Sequence, residues 1–379
     1  MKFSVHRNAF IQYLNNVQLA ISSKAALEIL SGIKLDLSTD GLTMTGSNSD
    51  ISIETVISIA DEKAALNIAS TGSIVLPARF FSDIVKKLPE DVMDFEVNER
   101  LQATIRSGST EFTINGLNAE DYPHLPEIDS NEQLTLPADV LKQVIRQTVI
   151  AASKQETRPI LTGIHFAINN GQLLAVATDS HRLSQRKLSL NDDTAASYDI
   201  IVPSQSMNEL SKMLGDSSED IEIQITENQI LFILGNTSFY SRLLEGNYPD
   251  TERLIPQTSS TSLEVLAPEF LKAIERASLI SNDGRNKVVK LSMDPAQNKA
   301  TLYSNSPEVG NVEEELDFNS LTGNALDISF NPDYMKDALK TFSQSEVVLD
   351  FTMPLRPFTI VPTENKEEFV QLITPVRTV

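Results

Sequence analysis

A threefold internal repeat, with copies about a third of the chain long, is the feature that most constrains what this chain can fold into. Three segments superpose at a constant offset of 130: 8–22, 138–152 and 268–282. Apolar residues coincide at helical spacing in the three copies, beginning with Phe10, Val140 and Phe270. Self-similarity of this kind predicts one structural unit copied three times.

A second helix is predicted further along each copy. It begins at Pro77, Pro203 and Asn331, and the offsets between these positions are 126 and 128. Acidic residues and lysines repeat on the face opposite the apolar stripe. The predicted helices cover residues 7–24, 77–88, 137–154, 203–214, 267–281 and 331–343.

Alternating, turn-punctuated runs between the helices predict β-hairpins, for example 35–45, 166–176 and 221–234. Two proline-punctuated segments, 122–137 and 248–268, each begin with a Tyr-Pro pair and are predicted to join the copies. The sequence therefore predicts an α+β fold of three repeated domains, each with two helices packed on antiparallel sheets. The predicted domains cover residues 1–126, 127–256 and 257–379.

The formal net charge of −21 argues against a nucleic-acid partner, because phosphate binding depends on Lys and Arg. The charge is nevertheless segregated. The predicted helices carry 13 Lys and Arg against 7 Asp and Glu, a net of +6, which leaves −27 for the rest of the chain. Basic helices in an acidic protein predict a partner that meets only the helical surface, such as duplex DNA. Alternatively, these cations lie on ordinary solvated helix faces.

The residues and their spacing do not indicate an enzyme. The sequence has no Gly-rich phosphate loop, and its four histidines lack metal-ligand spacing, so neither ATP hydrolysis nor a zinc site is expected. Residues 179–181, Asp-Ser-His, are consecutive and cannot converge as a catalytic triad does. The acidic run 312–317 is typical of a solvated strand or turn. We expect no cofactor and no metal.

The chain contains no cysteine, begins with a segment that turns polar at once, and has no apolar run long enough to cross a membrane. A cytoplasmic protein is therefore expected. Its apolar fraction of 41% is typical of a globular protein.

Five segments carry a resemblance to a known family: Met1-Lys2-Phe3, Leu76-Pro77-Ala78-Arg79, Ala177-Thr178-Asp179-Ser180-His181-Arg182-Leu183, Ile201-Val202-Pro203 and Pro375-Val376-Arg377. In this order and spacing they resemble the bacterial DNA polymerase III beta subunit family, the sliding clamps, from end to end. The resemblance implies a non-catalytic processivity factor. It implies a head-to-tail homodimeric ring that encircles double-stranded DNA without sequence preference, domain 1 of one copy meeting domain 3 of the other.

The resemblance also implies site residues. Lys24, Arg79 and Gln155 match positions that contact DNA in relatives, and the repeated helices add Lys86, Lys142, Arg146 and Lys212. The family's dimer interface maps to Arg106, Phe112, Leu279 and Ile280. The chain departs from relatives at Ser204 and Gln205, where some carry basic residues, and at Pro159 and Ile160, where some carry tyrosines.

The last predicted site is a groove for short linear peptides of the replicative polymerase, the clamp loader and repair proteins. The C-terminal segment 369–379 is apolar to its end, which predicts that it is packed rather than frayed. The resemblance assigns the groove to Leu161, Thr178, His181, Arg182, Leu183, Pro249, Arg253, Leu254, Asn331, Tyr334, Leu355, Pro375, Val376 and Arg377. Alternatively, these residues only pack domain 2 against domain 3.

Two other classes of protein remain open from the residues alone. One is an enzyme on a duplicated scaffold, with residues 178–182 in its active site. The other is an acidic scaffold that binds only proteins and does not encircle DNA.

Overall fold

The computed structural model describes residues 1–22, 27–125, 128, 133–190, 197–215, 218–281 and 287–377. They form two compact units, one of residues 1–140 with 205–243 and the other of residues 141–204 with 244–379. No helix in these ranges is long and apolar enough to cross a membrane.

The helices of the described ranges are α1 (Arg7–Gln18), α2 (Ala78–Lys87), α3 (Ala138–Thr148), α4 (Ser204–Met213), α5 (Ala267–Ser281) and α6 (Pro332–Lys340). The first strands are β1 (Lys2–His6), β2 (Gly32–Leu37), β3 (Gly41–Ser47), β4 (Ile51–Ser58), β5 (Asn67–Ser70), β6 (Gly72–Pro77), β7 (Val92–Val97), β8 (Gln102–Ser107), β9 (Thr110–Asn115), β10 (Gln133–Pro137), β11 (Gly163–Asn169), β12 (Gln172–Thr178) and β13 (Arg182–Ser189). The others are β14 (Tyr198–Pro203), β15 (Asp220–Ile225), β16 (Gln229–Leu234), β17 (Thr237–Arg242), β18 (Thr261–Leu266), β19 (Val289–Asp294), β20 (Lys299–Ser306), β21 (Gly310–Glu315), β22 (Ser320–Gly323), β23 (Leu326–Phe330), β24 (Glu346–Phe351), β25 (Phe358–Pro362) and β26 (Phe369–Ile373).

The first unit contains two sheets. One has the order β5-β1-β7-β8-β9 and the other β10-β15-β16-β17-β4-β3-β2-β6. The hairpin predicted around Asp40-Gly41 is confirmed, because β2 and β3 pair with Leu37 opposite Leu42. The hairpin predicted over 221–234 is also confirmed, by the pairing of β15 with β16.

The second unit also contains two sheets, with the orders β14-β11-β12-β13-β26-β25-β24-β18-β22 and β21-β20-β19-β23. The hairpin predicted around Asn170-Gly171 joins β11 to β12. Both turn residues have positive φ, 51° and 70°, as a two-residue type I′ turn requires. The acidic run 312–317 lies mostly in β21, an outer strand.

The repeated apolar positions form the cores of the two units. Phe10 and Phe81 are fully buried in the first unit and meet edge to face, with ring centroids 5.9 Å apart. Their counterparts in the last copy, Phe270 and Met335, are 2% and 0% exposed in the second unit. The predicted apolar stripe is therefore confirmed as the buried face of the helices in both copies.

Five of these six helices are shorter than predicted, and α1, α3 and α6 differ most. The sequence predicts helix to residue 24, but α1 ends at Gln18, where the N–H of Leu19 turns to the Asn16 carbonyl in a tighter 3₁₀ geometry. α3 ends at Thr148, whose buried hydroxyl donates to the Val144 carbonyl 2.8 Å away and so competes with the helical ladder. α6 ends at Lys340, short of the predicted end at residue 343.

Candidate functional site

The turn between β12 and β13 is held in one conformation by its own side chains. The Asp179 carboxylate accepts the backbone N–H of His181 at 2.9 Å and that of Arg182 at 3.0 Å. The Thr178 hydroxyl donates to the Arg182 carbonyl at 2.6 Å. Between them Ser180 adopts a φ of 76°, which is unusual for a residue with a side chain. The turn is a rigid element at the centre of the predicted groove.

Arg182 is mostly buried, at 9% exposed, and its guanidinium is already engaged within the protein. Nε donates to Asp179 at 3.1 Å and Nη1 donates to Asp337 of α6 at 2.7 Å. The guanidinium also lies over the Tyr334 ring, 4.6 Å from its centre. The resemblance assigns Arg182 to the peptide groove, and in the structure its guanidinium joins the turn to α6.

Tyr248 fastens the segment that follows β17 to the same turn. Its hydroxyl accepts the Thr178 N–H at 3.0 Å, and its ring stacks on His165 at a centroid distance of 4.9 Å. His165 in turn contacts Asp199 at 2.9 Å. Burial raises the pKa of the Tyr248 phenol well above its usual value. This phenol therefore stays protonated as part of the frame.

The C-terminal segment packs beside the turn, as its apolar sequence predicts. The Thr374 N–H donates to the His181 carbonyl at 2.9 Å, and the Val376 N–H donates to Ser329 on β23 at 2.7 Å. Pro375 and Val376 are half-buried and Arg377 is exposed. Thr378 and Val379 lie outside the described residues. The tail and the turn are therefore brought together.

The remaining predicted groove residues differ in exposure. Leu254 and Leu355 are 50% and 55% exposed and are available to a ligand. Leu161 and Leu183 are 4% and 1% exposed, so they support the surface from beneath. Pro249 and Arg253 are exposed, and Arg253 pairs with Asp250 at 2.8 Å.

Two predicted residues border α6. Asn331 is its N-cap, with a side chain that accepts the Asp333 N–H at 2.9 Å. Tyr334 is half-buried and its ring lies parallel to that of His181, at a centroid distance of 6.4 Å. His181 is exposed, so its imidazole ring and polar ring nitrogens face the solvent here.

Sequence reasoning missed three residues of this frame: Asp179, Tyr248 and Asp337. Each carries a signal that could have been used. Asp337 recurs at the same helix position as Asp83 and Glu209, and Tyr248 opens one of the Tyr-Pro joints. Asp179 precedes His181 and Arg182 in the segment that carries the resemblance.

The predicted DNA-binding residues are dispersed over several helices. Arg79 and Lys86 are both exposed on α2, and two helical turns separate them, which places them on one face. Lys86 also donates to Gln18 of α1 at 3.1 Å. Gln155 is exposed beyond α3, and Lys24 lies outside the described residues.

Several helical cations have partners inside the chain. Lys212 contacts Glu209 on α4 at 2.7 Å, and Arg146 donates to the Lys340 carbonyl at 3.3 Å. Lys142 is partly buried and has interactions of its own. Glu209 thus offsets the positive charge of Lys212 on α4.

The predicted dimer-interface residues lie on β8 and β9 of the first unit and at the end of α5 in the second unit. β9 is an outer strand of its sheet, and Phe112 on it is 37% exposed. Arg106 on β8 pairs with Glu111 at 2.7 Å and with Glu96 at 3.3 Å. In the second unit, Leu279 is 71% exposed at the end of α5, next to the half-buried Ile280.

Models of known protein families identify the family of this chain. Three family models, described as the N-terminal, central and C-terminal domains of the DNA polymerase III beta subunit, match residues 1–126, 135–250 and 252–377. The chain belongs to the DNA polymerase III beta subunit family. The predicted resemblance is therefore confirmed.

Individual members of the beta subunit family resemble the chain over its whole length. A beta sliding clamp from Bacillus subtilis is 49% identical over 379 residues, all of both chains, and one from Streptococcus pneumoniae is 46% identical over 377 residues, 99% of each. The crystal structure of the Bacillus subtilis DNA polymerase sliding clamp gives a TM-score of 0.96 over all of both chains. A putative beta subunit from Eubacterium rectale, 30% identical, gives 0.92 with the same coverage.

As a member of the beta subunit family, the chain is a DNA sliding clamp, a non-catalytic processivity subunit that acts on DNA with the polymerase. The α+β fold of repeated clamp domains is confirmed. Two alternatives that the residues left open, an enzyme on a duplicated scaffold and a scaffold that does not act on DNA, are therefore wrong.

Proposed function

We propose that this sliding clamp closes into a ring as a head-to-tail homodimer and works in the cytoplasm. Each copy contributes three domains, residues 1–126, 127–256 and 257–379. Free strand edges support the closure, because β9 and β21 are outer strands and leave N–H and C=O groups unpaired by neighbours in their sheets. Phe112 and Leu279 offer exposed apolar anchors for the interface.

Inside the ring, double-stranded DNA is held without sequence preference. Single cations on separate helices suit phosphate contacts rather than base reading. The proposed contacts are Lys24, Arg79, Lys86, Lys142, Arg146, Gln155 and Lys212. Since these cations are few and dispersed, and Lys212 is paired with Glu209, retention depends more on encirclement than on affinity.

The surface beside the turn 178–182 binds short peptides of the replicative polymerase, the clamp loader and repair proteins. The single observation that carries this is the fixed frame that the turn, α6 and the tail form around exposed His181 and half-buried Pro375 and Val376. Half-exposed aliphatic side chains such as Leu254 supply apolar contact area, and Arg377 and Arg253 supply charge at the rim.

Arg182 acts here as a positioning residue. Because its guanidinium is shared between Asp179 and Asp337, it fixes the distance between the turn and α6. Tyr334 and Asn331, at the start of α6, then stand at a set position beside His181. A peptide that lies along this edge meets a preformed surface, which lowers the entropic cost of binding.

Deletion of residues 375–379 tests the groove. Within the described residues it removes the Val376 bond to Ser329 and leaves the Thr374 bond to His181, so the melting temperature should change little. Binding of a polymerase-derived peptide, measured by calorimetry, should be lost. The matched control is Glu367→Gln, an exposed substitution on the same segment of chain before β26. Unchanged peptide affinity in a deletion variant with an unaltered melting profile would overturn the assignment.

A further inference from the structure

The threefold repeat forms the same strand junction between neighbouring copies twice within the chain. β4, β13 and β21 are the third strands after the first helix of their copies, and β9, β17 and β26 are the last strands. In the first unit β4 of the first copy pairs with β17 of the second, and in the second unit β13 of the second copy pairs with β26 of the third. The strands left over, β21 and β9, are both outer strands of their sheets. The third junction of the repeat is therefore not formed within either unit.

Each completed junction also brings a turn of one copy to the second helix of the next copy. In the second unit the turn 178–182 meets α6, where the rings of His181 and Tyr334 lie parallel with their centroids 6.4 Å apart. In the first unit the turn 47–51 and Glu209 of α4 line one cavity. A complete junction thus consists of paired strands and of a turn beside a helix.

The third copy has the corresponding turn at residues 306–310, between β20 and β21. The Glu308 N–H donates to the Ser306 hydroxyl at 3.4 Å, two residues back along the chain, as the His181 N–H donates to Asp179. Val309 in this turn is 51% exposed. Because α4 and α6 already stand at the other two turns, α2 is the second helix that remains for this one.

α2 exposes a large apolar side chain at the matching position. Phe80 stands where α6 has Tyr334, given the offsets of 126 and 128 between the second helices. Its side chain is 65% exposed, whereas the neighbouring Phe81 is fully buried. A phenyl ring has no polar group to offer water, so a partner that covers Phe80 gains free energy from its burial. Phe80 and Val309 are thus two exposed apolar residues at the two halves of the unformed junction.

We propose that Phe80 packs against Val309 of a second copy of this chain when the clamp closes. The two residues take the places that Tyr334 and His181 have at the junction within the second unit. α2 of one copy then covers the turn 306–310 of the other. The inference rests on the proposed head-to-tail dimer, and it adds a contact between a helix and a turn to the strand edges already proposed.

The chemistry of this contact differs from that of its counterpart in the second unit. There Arg182 joins the turn to α6 through Asp337. On α2 the position of Asp337 is occupied by Asp83, but the turn 306–310 contains neither arginine nor lysine. No equivalent ion pair can form between the copies, so the contact at this point rests on the apolar pair.

A dilution series of the full-length clamp, followed by energy transfer between donor- and acceptor-labelled copies, measures the dimer dissociation constant. Phe80→Ala should raise this constant about tenfold or more, because it truncates a large aromatic anchor, and Val309→Ala should raise it less. The matched control is Ile59→Ala, which shortens a side chain that is 54% exposed in the first unit and should leave the constant unchanged. All three side chains are exposed, so the melting temperature should stay the same. An unchanged constant for Phe80→Ala would overturn the proposal.

An exchange of charges tests whether the two residues meet across copies. Phe80→Lys and Val309→Glu should each weaken the homodimer, because each buries a charge against an apolar side chain. When the two single variants are mixed, native mass spectrometry should show a share of mixed dimer well above that of random mixing. One junction of the mixed dimer pairs lysine with glutamate, and the other keeps the original pair. A random distribution would refute the contact.

Failure of this contact is distinguishable from failure of the dimer. Leu279→Ala, at the interface already proposed, is measured in the same dilution series. If it weakens the dimer and the Phe80 and Val309 variants do not, only the contact is overturned. If the unmodified clamp is a monomer at micromolar concentration, the head-to-tail dimer is overturned and the contact with it.

Discussion

The turns 47–51 and 178–182 share a capping side chain and differ in what lies around it. Asn48 accepts the N–H groups of Asp50 and Ile51, as Asp179 accepts those of His181 and Arg182. In the second unit, Arg182 joins the turn to α6 from inside the chain, and His181 and Tyr334 stand beside it. In the first unit the buried Ile51 stands at the position of Arg182. The comparison shows that the duplicated turns keep the two hydrogen bonds of the capping side chain, whereas the neighbouring side chains have diverged.

The largest expected effect is that of Arg182→Met. It leaves Asp179, whose side chain is 15% exposed, and Asp337 without their cation, and should cost about 1.5–3 kcal/mol of local stability. The matched substitution Ile51→Met exchanges one apolar side chain for another and should cost less than about 1.5 kcal/mol. Hydrogen exchange at the N–H groups of residues 181–182 and 50–51 measures both. Equal losses at the two turns would mean that Arg182 does not hold its turn.

The two units should behave alike at alkaline pH. Burial raises the pKa of Tyr122 to about 12 and that of Tyr248 further, from 10.0 for the unperturbed group. Both folded-state values are raised, so their contribution to stability is complete below pH 10 and is lost as the pH rises through 10 towards 12, by up to about 1.4 kcal/mol per pH unit for each phenol. Tyrosinate absorbance should show that Tyr122 and Tyr248 of the folded clamp ionise only well above pH 10. Ionisation of every tyrosine near pH 10 without unfolding would contradict this.

The smallest expected effect on stability comes from a difference in backbone conformation between the two turns. Ser180 has a φ of 76°, whereas Ser49, at the same place in the first unit, does not have a positive φ. Ser180→Gly should therefore stabilise the clamp slightly, by less than about 1 kcal/mol, because relief of strain exceeds the added freedom of the unfolded chain. Ser49→Gly should destabilise it by a similar amount. Opposite shifts in melting temperature are expected, and a loss in both would show that Ser180 is not strained.

The repeat made most of the fold predictable from sequence. Apolar positions such as Phe10 and Phe270, read at helical spacing, identified buried helix faces, and Asn170-Gly171 identified a hairpin, because both signals are local. Helix ends were less predictable. α3 ends at Thr148, whose hydroxyl donates to the Val144 carbonyl. The spacing of apolar residues, which predicted the helix, does not indicate that hydrogen bond.

The resemblance predicts the groove as a set of positions, and it does not predict the contacts that these residues make within the fold. The resemblance placed Arg182 at the groove, yet its use depends on Asp337, far along the chain, which only folding brings within 2.7 Å. Aligning residues 47–51 with 178–182 shows isoleucine in place of arginine, so the turn of the first unit lacks the arginine that ties its counterpart to a helix.

Retention on circular against linear DNA tests the central claim, that this clamp encircles the duplex, most directly. The clamp is loaded onto nicked circular DNA by its loader, half of the sample is linearised with a single-cut nuclease, and clamp bound to each form is measured by gel filtration. Encirclement predicts that the clamp stays on the circle and slides off the linear molecule, because the weak phosphate contacts alone do not hold an acidic protein. Equal retention on the two forms, or equal loss from both, would contradict it.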